Sequence, residues 1–182
     1  MSLPATSGEC FLGYTLFRAS PYGFVTAGRL AQGSEIIASS GQTIRVKEVS
    51  ITPLAEQDLV ELSTISAGLK VSKCHRVMVQ RGSSPQTIPA GNLRFGDPVY
   101  ISGDKVEKLI DVRNVLEWVE LVSVTFEPDE TVEAFHPAPA SILSKGHGFP
   151  KTSRRSTRRS TRRGTSADVR SSIPDTDDGW QD

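Results

Sequence analysis

The sequence predicts an all-β domain made of two pseudo-symmetric halves, followed by a segment that does not fold. Three observations predict it. The chain repeats itself: Ala27-Gly28-Arg29-Leu30, running on to Gly33 and Ser39, aligns at constant spacing with Ala90-Gly91-Asn92-Leu93, Gly96 and Ser102. Each copy ends in the same words, Val60-Glu61-Leu62 and Val119-Glu120-Leu121. Between these marks, short segments rich in Val, Ile and Thr are punctuated by Gly and Pro, the pattern of strands and turns. After Gly148 apolar residues nearly vanish. Two copies are too few for a solenoid, which needs several units to bury a continuous core. A duplicated pair implies one compact domain, with any chemistry at the seam where distant side chains converge.

The elements follow in order. Residues 1–9 are short, polar and uncapped, and read as a flexible leader. Strands are expected at Thr15–Ala19, Glu35–Ala38, Thr43–Ile51, Asp58–Ile65, Leu69–Ser72, Val77–Gln80, Val99–Ser102, Val106–Val112 and Glu117–Phe126. The Ala-Gly-x-Leu stretches are too short for more than a turn of helix. Between Pro128 and Gly146 the chain is Pro- and Ala-rich, with Glu133-Ala134-Phe135 as a closing edge strand. The β domain is thus expected over residues 10–146 and a disordered tail over 147–182.

Composition narrows the classes. The 182 residues suffice for one ordinary domain plus a tail, and acids balance bases, 21 against 21. No apolar run reaches the length of a membrane span, and the N-terminus lacks the build of a secretory signal. Two cysteines, Cys10 and Cys74, are too few for a disulfide scaffold, so an intracellular setting with reduced thiols is expected. In the tail, the pairs Arg154-Arg155, Arg158-Arg159 and Arg162-Arg163 recur among Ser and Thr, before a close of opposite sign at Asp175, Asp177, Asp178 and Asp182. The functional readings are a nuclear-import signal, a non-specific nucleic-acid patch or a substrate for basophilic kinases. The plain reading is a solvated linker. The histidines and cysteines show no metal-ligand spacing, so no metal or cofactor is invoked, and a monomer is expected.

The chemistry lies in Cys10 and in Leu69-Lys70-Val71-Ser72-Lys73-Cys74-His75-Arg76-Val77. A Gly-x-Cys-Phe start, repeats of the Leu-x-x-Gly-(Asp/Ser)-x-Val kind and a mid-chain Ser-x-x-His after a strand resemble the Hint domain. That is the self-processing module shared by hedgehog C-terminal regions and inteins. The resemblance covers about Cys10 to Gly146 and implies a Hint-like horseshoe of two pseudo-symmetric halves. It also implies that Cys10 attacks the carbonyl of its own preceding residue, moving the acyl group of the Glu9–Cys10 bond from nitrogen to sulfur.

The residue types suit that reaction. A thiolate is a strong nucleophile even when only a small fraction is ionised. The thioester lies uphill of the amide, so the departing nitrogen needs a proton, which a histidine of near-neutral pKa supplies. By resemblance His75 holds that role, and Ser72, standing where the family usually has Thr, polarises the scissile amide. The implied activity is that of a single-turnover cysteine autoprotease with its own N-terminal segment as substrate.

Departures from the family pattern set the expected outcome. Inteins end in an Asn or Gln that cyclises, whereas Lys145-Gly146-His147-Gly148 has no amide side chain, so full splicing is not expected. Hedgehog domains carry an Asp upstream of Thr-x-x-His, and Val49–Thr52 has none, so sterol transfer is unsupported. Hydrolysis, or transfer to a small nucleophile, remains. Cys74 offers a disulfide to Cys10, an acyl-accepting thiol or, as the plainer reading, a small residue filling a strand-end site. His136 and His147 are candidates for late proton transfer. The rival reading is a degenerate Hint scaffold, a binding or spacer module for the basic tail. The unusual Ser72, the missing Asp and a leader of nine residues favour it.

Overall fold

A computed structural model of the chain describes residues 8–136 and 140–145. The Arg-rich repeat, the acidic close, His147 and the expected boundary at Gly146 lie outside them. The described residues form strands β1 (Cys10–Leu12), β2 (Leu16–Arg18), β3 (Phe24–Thr26), β4 (Glu35–Ile37), β5 (Thr43–Ser63), β6 (Gly68–Ser72) and β7 (Arg76–Arg81). They continue with β8 (Ser84–Pro89), β9 (Pro98–Ile101), β10 (Lys105–Lys108), β11 (Asp111–Glu127), β12 (Thr131–Ala134) and β13 (Ile142–Lys145). Ala27–Arg29 and Ala90–Asn92 each make one turn of 3-10 helix, and no α-helix occurs among the described residues. No helix there is long and apolar enough to cross a membrane.

One sheet has the order β11-β1-β6-β5-β4, with β11 also paired along β5. A second has the order β10-β9-β13-β7-β8, with β12 on β13, and β2 and β3 form a separate ribbon. Successive side chains of a strand face opposite sides, and this alternation builds two cores. Phe11, Leu69, Val71, Val77 and Val79 point into the main core. On the other face of β1 a smaller cluster joins Cys10, Leu12, Leu59 and Leu121.

Several expected elements change on folding. The two strands expected at Thr43–Ile51 and Asp58–Ile65 are one, β5, which runs through Pro53. The β5–β11 register shifts between Val119 and Leu121, whose partners are Ala55 and Thr52. Pro53 therefore sits in a bulge, where a missing N–H costs no ladder bond. The strand expected at Val106–Val112 divides between β10 and β11, and β11 continues through the segment expected at Glu117–Phe126. The short strands β1, β3, β8 and β13 were not among those read from the sequence.

The duplication is visible in the backbone. Ala27 N–H bonds Thr15 O and Gly28 N–H bonds Gly13 O, at 2.7 and 2.8 Å. In the second half Ala90 N–H bonds His75 O and Gly91 N–H bonds Lys73 O, at 2.8 and 2.9 Å. Each Ala-Gly pair thus grips the loop after the first strand of its half. A Cβ on Gly28 would stand 3.2 Å from Gly13 O, and one on Gly91 would stand 3.2 Å from Lys73 Cβ, so both close approaches favour glycine.

Candidate active site

Strand β1 belongs to the first half and β6 to the second, and they pair antiparallel with Phe11 opposite Val71. The seam therefore runs beside Cys10. There the Cys10 N–H donates to Ser72 Oγ at 3.0 Å. The same hydroxyl donates to the Gly8 carbonyl at 3.0 Å. Ser72 thus bridges the two peptide groups flanking Glu9. It touches the nitrogen of the Glu9–Cys10 bond, and its own proton goes to the carbonyl one residue earlier. Gly8 and Glu9, expected as the end of a flexible leader, are held in place, and Glu9 is buried.

His75 follows Ser72 through a tight turn closed by its N–H on Ser72 O at 3.0 Å. It is fully buried, and its ring packs edge-on against Phe11 with centroids 4.3 Å apart. Cys10 faces the smaller cluster and Phe11 the main core. The thiol and the imidazole therefore flank β1 from its two sides, with the Cys10 backbone between them. Cys10 and Glu9 thus lie at the Ser72 hydroxyl and the Arg76 side chain, and His75 lies on the Phe11 side of β1.

The electrostatics do not favour a resting thiolate. Burial, with the nearby Cys74 and Glu9 charges adding to it, pushes the Cys10 thiol from 9.0 up to about 11. Cys74 sits in the exposed turn before His75, so it fills no strand-end site, and both cysteines are free thiols.

His136 packs against Tyr14, with ring centroids 5.1 Å apart. Burial lowers its pKa and the Lys70 charge lowers it further. Lys70 bonds Glu117 at 3.0 Å. Burial opposes the Lys70 charge, but the Glu117 bond and the neighbouring Tyr14, Glu117 and Glu61 outweigh it and raise its pKa. Among the described residues no group of three or more His, Cys, Asp or Glu could hold a metal ion.

Sequence reasoning missed one side chain of this site. Arg76 Nε pairs with Glu9 Oε1, both side chains being mostly out of water. The signal was present as an acid immediately before Cys10 and a base immediately after His75.

This arrangement, a short strand carrying Cys10 against a Ser-x-x-His turn at the seam of a duplicated β domain, is the Hint fold. Among solved structures it resembles the intein-like domain from Clostridium thermocellum, with a TM-score of 0.61 at 18% identity over 77% of this chain and 99% of that one. It also resembles a DnaB intein from Synechocystis sp. PCC 6803, with a TM-score of 0.60 at 15% identity over 77% and 99% of the two chains. For the TvoVMA intein the values are 0.61, 11%, 76% and 98%. No family model and no curated protein matches the sequence.

Proposed function

We propose that the chain cleaves its own Glu9–Cys10 bond. The observation that carries this reading is the hydrogen bond from the Cys10 amide to Ser72, one turn from the buried His75. The Cys10 thiol gives up its proton, Sγ attacks the Glu9 carbonyl carbon, and the carbon–nitrogen bond breaks as His75 supplies a proton to the departing nitrogen. Products of this step are a Glu9 thioester on Cys10 and a free Cys10 amine. Water then adds to the thioester, giving a Glu9 carboxylate and restoring the thiol; a small amine or thiol would take the acyl group in the same way.

Ser72 serves by fixing the amide. A hydroxyl that accepts from one peptide and donates to another holds the intervening residue in a single conformation, and such positioning lowers the barrier without forming a bond. The main-chain geometry is set before reaction, while the thiol pKa of about 11 leaves ionisation as the step still to be overcome.

The test is expression of the chain behind a fusion partner, with mass spectrometry of the products. A fragment beginning at Cys10, released faster with hydroxylamine or added thiol and absent from Cys10→Ala, is expected. A fusion that stays intact under those conditions overturns the reading. The second reading is a Hint scaffold without turnover. The elevated thiol pKa and the commitment of the Ser72 proton to Gly8, away from the Glu9 carbonyl, favour it.

A further inference from the structure

We infer that Arg76 is a specificity-determining residue that selects an acidic side chain at the position immediately before Cys10. This rests on the processing reading and extends it from the reacting atoms to the substrate class. Arg76 is the first residue of β7, and its backbone is fixed on both sides. It pairs with Pro89 of β8, and the preceding His75 carbonyl accepts from Ala90 N–H at 2.8 Å. The guanidinium therefore starts from a rigid base. Its Nε meets the Glu9 carboxylate, with side-chain exposures of 15% for Arg76 and 11% for Glu9.

A guanidinium does not lose its proton in proteins. A partly buried one whose carboxylate is replaced keeps its charge and loses that counter-charge, which is costly. A Lys at position 9 adds repulsion, and an apolar residue leaves the cation facing a side chain that cannot accept a hydrogen bond. Gln keeps one acceptor but no charge, and Asp keeps the charge on a shorter arm. The order of acceptance is thus Glu, then Asp and Gln, then Ala, then Lys. The other cation beside the turn, Lys73, is engaged by Asp58 at 2.5 Å.

The pair also acts on geometry. Ser72 holds Gly8 O and Cys10 N–H, and Arg76 holds the Glu9 side chain, so the residue whose carbonyl is attacked is fixed at three points. Once the segment leaves, the Glu9–Arg76 pair leaves with it. The ion pair therefore belongs to the uncut state, as expected of a group that recognises substrate.

The experiment uses the full chain behind a fusion partner, comparing native, Glu9→Gln, Glu9→Lys, Arg76→Glu and the double swap Glu9→Lys/Arg76→Glu. Cleavage of Glu9→Lys and Arg76→Glu is expected to slow roughly 10- to 100-fold, Glu9→Gln less, and the double swap to recover most of the native rate. Glu9→Lys cleaving within about twofold of native, or a double swap no faster than the singles, overturns the inference while leaving self-cleavage intact. The same charge variants are then melted on a Cys10→Ala background, where no cleavage occurs. Each single swap should lower the melting temperature by roughly 5–10 °C, with the double swap recovering most of the loss. If the native fusion never cleaves, the processing reading falls, and the melts alone decide whether this pocket prefers an acid; additive losses there overturn it.

Discussion

The two halves place different side chains on one backbone. Thr15 N–H bonds Leu12 O at 2.9 Å, as His75 N–H bonds Ser72 O at 3.0 Å, and each loop is gripped by its own Ala-Gly pair. Gly33 and Gly96 match as well, with φ of +85° and +86°. Since Phe11 lies opposite Val71, the positions equivalent to Cys10, Leu12 and Thr15 are Lys70, Ser72 and His75. One half carries a thiol where the other carries an ammonium, and one loop holds a buried imidazole where the other holds a buried hydroxyl. The fold therefore provides the turn twice, and only the crossing of Cys10 from one half with Ser72 and His75 from the other assembles candidate chemistry. Geometry is shared; reactivity is not.

Substitution at the mirrored loop positions tests this contrast most strongly. His75→Ala should reduce cleavage of the fusion about 10²- to 10⁴-fold, the usual worth of a general acid or base, whereas Thr15→Val should leave the rate within about twofold. Equal effects at the two positions would show that the loops act as structure only. Initial rates of fusion cleavage decide it.

The pH profile gives the next largest effect. With the Cys10 thiol near 11, roughly one molecule in 10⁴ is ionised at pH 7, and that fraction climbs about tenfold per pH unit. The same step needs a protonated His75, whose share falls as pH rises, so the cleavage rate should gain far less than tenfold per unit. A rate that climbs the full tenfold per unit towards pH 11 would mean that His75 donates no proton in the limiting step. Stability should move the other way. A thiol whose folded pKa lies above its unfolded value favours the folded state at low pH, and that contribution is lost as pH rises from 9.0 to about 11. The loss is of order 2–3 kcal/mol, measured by chemical denaturation across that range, and Cys10→Ala should lack it.

Smaller effects are expected at the glycine grips. Gly28→Ala and Gly91→Ala should each cost about 1–3 kcal/mol, because the added methyl lies within 3.2 Å of its neighbour. Only Gly91→Ala should also slow cleavage, since it displaces the loop of Lys73 and His75. The smallest effect belongs to Thr15→Val. The Thr15 hydroxyl is buried with no hydrogen-bond partner among the described residues, so an isosteric methyl should raise stability by about 1 kcal/mol or leave it unchanged. A clear loss on thermal melting would reveal a polar role for the loop that the comparison denies.

Much of this was legible in the sequence, for identifiable reasons. Ala27-Gly28 and Ala90-Gly91 recur because both loops need a residue without a side chain at the same close approach, so the repeat of letters reflected a repeat of contacts. Cys10, Ser72 and His75 could be named from their order and from the resemblance they carry. Other features depend on tertiary context. Pro53 reads as a strand breaker until the opposing strand supplies a bulge to hold it. Strand β8 has Pro85 and Pro89 within it and is tolerated because it lies at a sheet edge. Strand β1 spans three residues, too few to show any periodicity, although it carries the candidate nucleophile. The Arg76–Glu9 pair joins residues far apart in sequence, and only the β1–β6 register brings them together.

The brevity of β1 also bears on what happens after a cut. Cys10, Phe11 and Leu12 are each matched to Ser123, Val122 and Leu121 of the long strand beside them, so the new amino terminus would stay sewn into the sheet. On the severed side, the described contacts include the Ser72 hydroxyl bond at Gly8 and the Arg76 ion pair at Glu9. The remaining domain would therefore keep this edge of its sheet after a cut, with its new end already paired.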